Sequence, residues 1–121
     1  MKICITAQGD NLDSVVDPRF GRCQYFIILD TDSLEFEAIE NPNVSGMGGV
    51  GIQSAQFISE KKIKAVLTGN VGPNAFQTLK AANIEVIVGV LGIVKEAVEK
   101  YKNGELKSID NPSVDSKFGT N

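Results

Sequence analysis

From Asn41 onward the chain alternates helical patterns with short apolar runs, an order that fits a sheet crossed by helices better than any all-α or all-β layering. Asn41-Pro42-Asn43 breaks a preceding strand, and a glycine-rich stretch then leads into Ile52, Ala55 and Ile58 at three-residue spacing, a helix ending near Lys61 and Lys62. Residues 63–67 read as a buried strand and 69–74 as a loop, and Pro73 suits the first turn of a helix carrying Phe76, Leu79 and Ala82. Residues 84–90 read as another apolar strand. Val94, Ala97, Val98 and Tyr101 follow the i, i+3, i+4, i+7 template of a third helix, with Glu96 and Lys100 as a supportive pair and Asn103-Gly104 as its stop. Strands joined by such crossovers run parallel, with right-handed connections.

The first half has a different rhythm. Residues 2–6 and 25–29 read as strands separated by a long polar segment, 8–24. Asp30-Thr31-Asp32-Ser33 is a turn, and 34–38 alternates with period two, so the second and third strands form a hairpin. The fold class is therefore α/β, a mixed sheet with helices on its faces. At 121 residues with 42% apolar content, one domain over 1–107 followed by a polar tail at 108–121 accounts for the chain.

Composition excludes several chemistries. Histidine is absent, which removes Ser-His-Asp and Cys-His hydrolysis, the HExxH zinc motif and histidine-ligated metal sites. A formal charge of -3 argues against nucleic acid as a partner. No apolar run approaches the length of a membrane span, and the start lacks a signal-peptide core, so the expected location is the cytoplasm, with Cys4 and Cys23 as free thiols.

Three segments could carry chemistry. The first is Asp17-Pro18-Arg19-Phe20-Gly21-Arg22-Cys23. It holds the only two arginines, while the other ten basic residues are lysines, and guanidinium offers a fork of donors suited to an anion. An adjacent guanidinium would lower the pKa of Cys23 and favour a metal-ligating thiolate. The same residues also fit a loop pinned by an Asp17–arginine pair with Phe20 in the core and Cys23 inert. The second segment spans Gly46, Met47, Gly48, Gly49 and Gly51, ahead of a helix, where backbone N–H groups can surround an anion and Met47 can present a thioether; it is not a P-loop. The third is Thr68-Gly69-Asn70-Val71-Gly72-Pro73-Asn74-Ala75. It lies at the carboxyl end of a strand, where open α/β sheets bind ligands, although Gly69 and Gly72 could equally serve positive φ.

Val16-Asp17-Pro18-Arg19-Phe20-Gly21-Arg22, then Tyr25-Phe26 and Asp30, the glycine-rich segment and the run from Thr68 to Ala75 together resemble the dinitrogenase iron-molybdenum cofactor biosynthesis family. The resemblance implies a ribonuclease-H-like three-layer α/β/α fold with a five-stranded mixed sheet, order 3-2-1-4-5, strand two antiparallel. It also implies a non-enzymatic carrier or chaperone for an iron-molybdenum or iron-sulfur cofactor, working with metal-cofactor assembly proteins as a monomer or weak homodimer. Matching positions put Arg19, Phe20, Gly21, Arg22, Gly46, Met47, Gly48, Gly49, Gly69, Asn70, Gly72 and Asn74 around the cofactor, and Cys23, singled out by its own neighbours, joins them as the metal ligand. Many relatives carry histidine after the Asn-Pro turn, where this chain has Val44-Ser45-Gly46-Met47-Gly48-Gly49. Two other readings stay open: an enzyme or sensor for a phosphorylated small molecule with Asp10, Asp13 or Asp17 as base, and a module that binds only a protein partner.

Overall fold

A computed structural model describes residues 1–42 and 50–112. The order is β1 (Lys2–Ala7), β2 (Tyr25–Asp30), β3 (Phe36–Glu40), α1 (Val50–Ser59), β4 (Ala65–Leu67), α2 (Pro73–Ala81), β5 (Glu85–Ile87) and α3 (Val94–Lys102). The five strands form one sheet in the order β3-β2-β1-β4-β5. β2 is antiparallel to both neighbours, and β1, β4 and β5 run parallel, as helical crossovers require.

Both faces of the sheet are buried across β2, β1, β4 and β5, which is why those strands read as nearly continuous apolar runs, while the edge strand β3 is exposed or half-buried. On one face Cys4, Phe26, Ile28, Val66 and Val86 pack against Ala55 and Ile58 of α1 and Ala75, Phe76 and Leu79 of α2. On the other, Ile3, Ile5, Ile27, Leu29, Ala65, Leu67 and Ile87 meet Val94, Ala97 and Val98 of α3. Three layers result: α1 with α2, the sheet, and α3.

Local differences from the sequence reading have physical causes. β3 starts at Phe36 and not at residue 34, because Leu34 sits in the turn at φ 64° and its amide donates to the Asp30 carbonyl (2.8 Å). The Asp30 carboxylate completes that turn by accepting from the amides of Asp32 (2.8 Å) and Ser33 (3.3 Å). Those two bonds favour the ionised form and hold the Asp30 pKa below its ordinary value. Ala82 is the exposed C-cap of α2 and not part of its apolar face, since Asn83 takes φ 61° and turns the chain toward β5. Among the described residues Glu96 and Lys100 do not reach ion-pair distance, whereas Lys95 reaches Asp13 at 3.8 Å. Beyond α3, in the stretch read as polar tail, the Ile109 amide donates to the Val86 carbonyl (2.9 Å). Its side chain packs on the α1/α2 side of the core.

Candidate functional site

Parallel β1, β4 and β5 bring their carboxyl ends, Ala7, Leu67 and Ile87, to one edge of the sheet, and three loops leave from there. Main-chain hydrogen bonds join them. Asp17 N–H donates to Thr6 C=O (2.9 Å), Asn70 N–H to Pro18 C=O (2.8 Å), Gly89 N–H to Gly69 C=O (2.8 Å), and Val16 N–H to Gly92 C=O (2.8 Å). Two buried hydroxyls add a cross-strand tie: Thr6 Oγ1 donates to the Asp17 carbonyl at 2.7 Å and lies 2.8 Å from Thr68 Oγ1, which can donate back. The first and third sequence segments therefore form a single surface, with Arg19 and Asn70 in a parallel bridge.

Gly69 allows that junction. A Cβ there would lie 2.5 Å from Pro18 Cα and 2.7 Å from Pro18 O, so no side chain fits between the loops. Positive φ is not the reason for glycine at Gly69 or Gly72: neither is among the positive-φ residues, and Gly72 is the extended N-cap of α2 at φ -85°. Gly21 meets α1 in a similar way, since a Cβ on it would lie 3.1 Å from Gly51 Cα. Its carbonyl accepts from Asn41 Nδ2 (3.1 Å) and Ser54 Oγ (3.0 Å), fastening the first loop to the start of that helix.

The aspartate–arginine pin is real. Asp17 is buried, and Oδ1 accepts from the Arg19 amide (3.1 Å) and Arg19 Nε (3.4 Å), while Oδ2 accepts from the Gln24 amide (3.2 Å). The Arg19 side chain is 59% exposed and uses only Nε in this pair, so Nη1 and Nη2 have no partner among the described residues. Arg19 borders a groove of about 430 Å³, lined also by Gln8, Asp17, Pro18 and Gln24. Arg22 is half-buried in the same loop, and Asn74 is exposed in the first turn of α2. Phe20 does not line the groove: it is buried in the core with its ring 6.0 Å from that of Phe26.

Cys23 behaves opposite to the expectation that a guanidinium would lower its pKa. The thiol is buried, and desolvation, followed by the nearby Cys4 and the Asp17 charge, pushes its pKa well up. Cys4 is pushed up by burial alone. Both are free thiols, and among the described residues no three His, Cys, Asp or Glu side chains converge to hold a metal ion. Gly46, Met47, Gly48 and Gly49 lie outside the described residues.

One part of the site escaped the sequence reading. The loop after β5 carries Gly89 (φ 73°) and Gly92 (φ 88°), and it joins the surface through Gly69 and Val16. Its signal was present: Gly89 and Gly92 repeat, after β5, the spacing of Gly69 and Gly72 after β4. Leu91 in this loop is 77% exposed, and Val15, whose carbonyl accepts from the Gln8 amide, is 50% exposed.

A family model described as "Dinitrogenase iron-molybdenum cofactor" matches residues 1–104. An uncharacterised protein of Methanocaldococcus jannaschii is 31% identical over 113 residues, covering 91% of this chain and 92% of its own. The apo form of the orange protein from Desulfovibrio gigas superposes with a TM-score of 0.90 at 36% identity, over 93% of this chain and 96% of that one. A NifB-like protein from Thermotoga does so with a TM-score of 0.78 at 35% identity, over 93% and 98%. Among the described residues no helix is long and apolar enough to cross a membrane.

Proposed function

The chain belongs to the dinitrogenase iron-molybdenum cofactor family, and on that premise we propose that it is a non-enzymatic binding protein, a carrier or chaperone whose cargo is an iron-molybdenum or iron-sulfur type cluster or its precursor. One observation carries this reading. The chain's two arginines stand in a loop clamped by main-chain bonds to the glycine loop after β4, and Arg19, whose outer nitrogens are left unpaired among the described residues, borders a groove. A planar fork of donors on a fixed frame suits an anion larger than a single metal ion.

The donor set argues for cargo held whole, by guanidinium and amide N–H, in place of thiolate ligation. Iron-sulfur clusters are ordinarily held by four thiolates, and this chain has two thiols, both buried with raised pKa values. The contact set assigned here is Arg19, Arg22, Gly69, Asn70, Gly72 and Asn74, with the loop after β5 as its third side. Gly21 holds the loop between β1 and β2 against α1, Phe20 anchors it in the core, and Cys23 is left out. A cytoplasmic location, partners among metal-cofactor assembly proteins, a single unit over 1–107, and a ribonuclease-H-like layer fold complete the proposal; the strand order and directions support the last.

Anaerobic incubation with a molybdenum-iron-sulfur cluster preparation, gel filtration and metal analysis of the protein peak test it. Co-elution of metal that is lost in Arg19→Ala and Arg22→Ala and kept in Cys23→Ser is the expected result. Metal eluting apart from the wild-type protein refutes the carrier role. A melting-temperature rise with a nucleotide or sugar phosphate, and none with the cluster, would move the reading to a phosphorylated ligand.

A further inference from the structure

The strand β3 lies at the edge of the sheet farthest from β5 and takes no part in the loop surface. Its register with β2 pairs Ile28 with Glu37 and Phe26 with Ile39, and the amides of Asp30 and Asn41 donate to the carbonyls of Glu35 (2.9 Å) and Gln24 (3.0 Å). Antiparallel strands alternate between residues bonded to a neighbour and residues facing away. The carbonyl of Glu35 and the backbone groups of Glu37 and Ile39 therefore serve β2, and the N–H and C=O of Phe36, Ala38 and Glu40 point outward, without a partner among the described residues. Such an edge is a template for another strand.

Its chemistry is asymmetric. From Cys23 to Glu60 the chain has no basic residue and six acids, Asp30, Asp32, Glu35, Glu37, Glu40 and Glu60. On the α1/α2 side, a groove of about 230 Å³ is bordered by Asp30, Glu35 and Glu37, with Lys2 as its one base. On the α3 side, Phe36 pairs with Leu29 and is 40% exposed, beside Leu34 at 48%. There a groove of about 250 Å³ runs between Leu12, Leu29 and Leu34 and the Val98 side of α3, rimmed by Lys95, Glu99 and Lys102. A strand laid along β3 would thus meet carboxylates on one face and, on the other, Phe36, with the apolar trough over β2 beyond it.

We propose that this edge docks an extended segment of a partner protein, about five to seven residues long, in which basic and apolar side chains alternate. The segment pairs with the outward groups of Phe36, Ala38 and Glu40. Its apolar side chains lie beside Phe36 toward Leu12, Leu34 and Val98, and its basic ones beside Glu35 and Glu37. Main-chain pairing supplies affinity in such strand addition, and the alternating side chains supply selectivity. A second copy of this chain is the wrong occupant, because two β3 edges brought together would gather Glu35, Glu37 and Glu40 from both copies. The same acids that oppose self-pairing attract a basic strand.

The test uses the full-length protein and a fluorescein-labelled nonapeptide of alternating Lys and Val, compared with a block-ordered peptide of the same composition, by anisotropy at 0.15 M salt. The alternating peptide should bind at least tenfold more tightly and slow hydrogen exchange at the amides of Phe36, Ala38 and Glu40. Ala38→Pro, which removes an outward donor without touching the β2 ladder, should lower affinity at least tenfold. Glu35→Lys with Glu37→Lys should reverse the preference toward an alternating Glu-Val peptide, and this variant decides the matter if Ala38→Pro does not fold. Equal binding of the two Lys-Val peptides, or no slowing at those amides, overturns the proposal. So does concentration-dependent protection of the same amides in the absence of peptide, which would assign the edge to a second copy.

Discussion

Replacing Gly69 by alanine puts a methyl carbon 2.5 Å from Pro18 Cα, 2.7 Å from Pro18 O and 2.8 Å from Pro18 Cβ. Two of those three atoms are backbone, so no rotamer change relieves the contact, and the loops must separate by about 1 Å to restore an ordinary carbon–carbon distance. That separation breaks the bond from the Asn70 amide to the Pro18 carbonyl, now 2.8 Å. Overpacking of this kind costs about 1–3 kcal/mol, and the lost hydrogen bond adds about 0.5–1.5 kcal/mol. The expected destabilisation is about 1.5–4.5 kcal/mol, which at an m-value of about 1.5 kcal/mol/M lowers the urea midpoint by roughly 1–3 M. Native-state hydrogen exchange should show the Asn70 amide losing protection beyond that global change. Gly89→Ala is the control: φ is 73° but nothing lies within 4 Å of a Cβ, so it costs about 1–2 kcal/mol of backbone strain and leaves Asn70 bonded. A Gly69→Ala protein within about 0.5 kcal/mol of wild type, a surface-substitution effect, with Asn70 still protected would refute the close-approach argument.

Three further expectations follow from groups described above. Asp17→Asn keeps the shape but turns an amide nitrogen toward donors that a carboxylate accepts from; it should cost about 1.5–3 kcal/mol in urea unfolding, and a change below about 0.5 kcal/mol would mean that the buried pin is idle. Cys4 and Cys23, buried with raised pKa values, should react with a disulfide reagent at pH 8 only as fast as the protein unfolds; one thiol titrating at once in native buffer would contradict this. Tyr101 is pushed up to about 12 by burial and then by Glu85, whose Oε1 accepts its hydroxyl proton at 3.2 Å. Because the fold favours the neutral phenol, this contribution is intact below pH 10 and is lost as pH rises from about 10 through about 12. Ultraviolet titration should find that late phenol and see it fall in Glu85→Gln; no change in Glu85→Gln would remove the carboxylate as a cause.

The layers were legible because periodicity reports burial directly. β1, β4 and β5 read as apolar runs because both of their faces are covered, and α3 showed its buried stripe at Val94, Ala97 and Val98. The hairpin followed from the Asp30 turn, but its strand start did not: Leu34 alternates in phase with Phe36 and Ala38, and only its positive φ removes it from the ladder. The site was legible as segments and not as a surface. Arg19 and Gly69 each stood out, yet a contact between Pro18 and Gly69 spans about fifty residues and leaves no periodic trace. Cys23 misled for a related reason, since charged neighbours in the chain say nothing about where a thiol points. The loop after β5 was hidden because Val88 and Val90 extend an apolar run, so that Gly89 looked like an interruption of a strand when it is the turn that ends one.

The bonds that join one loop of the surface to the next are amide to carbonyl, apart from the two threonine hydroxyls, and such bonds do not depend on which side chain the bonded residue carries wherever, unlike at Gly69, there is room for one. The frame and its lining can therefore be inherited separately: exposed residues such as Asn70, Asn74 or Leu91 can be exchanged for others while the loops stay where they are. Under the proposed carrier role, a surface without histidine is one lining that this frame can take, suited to a cargo held by charge and not by coordination.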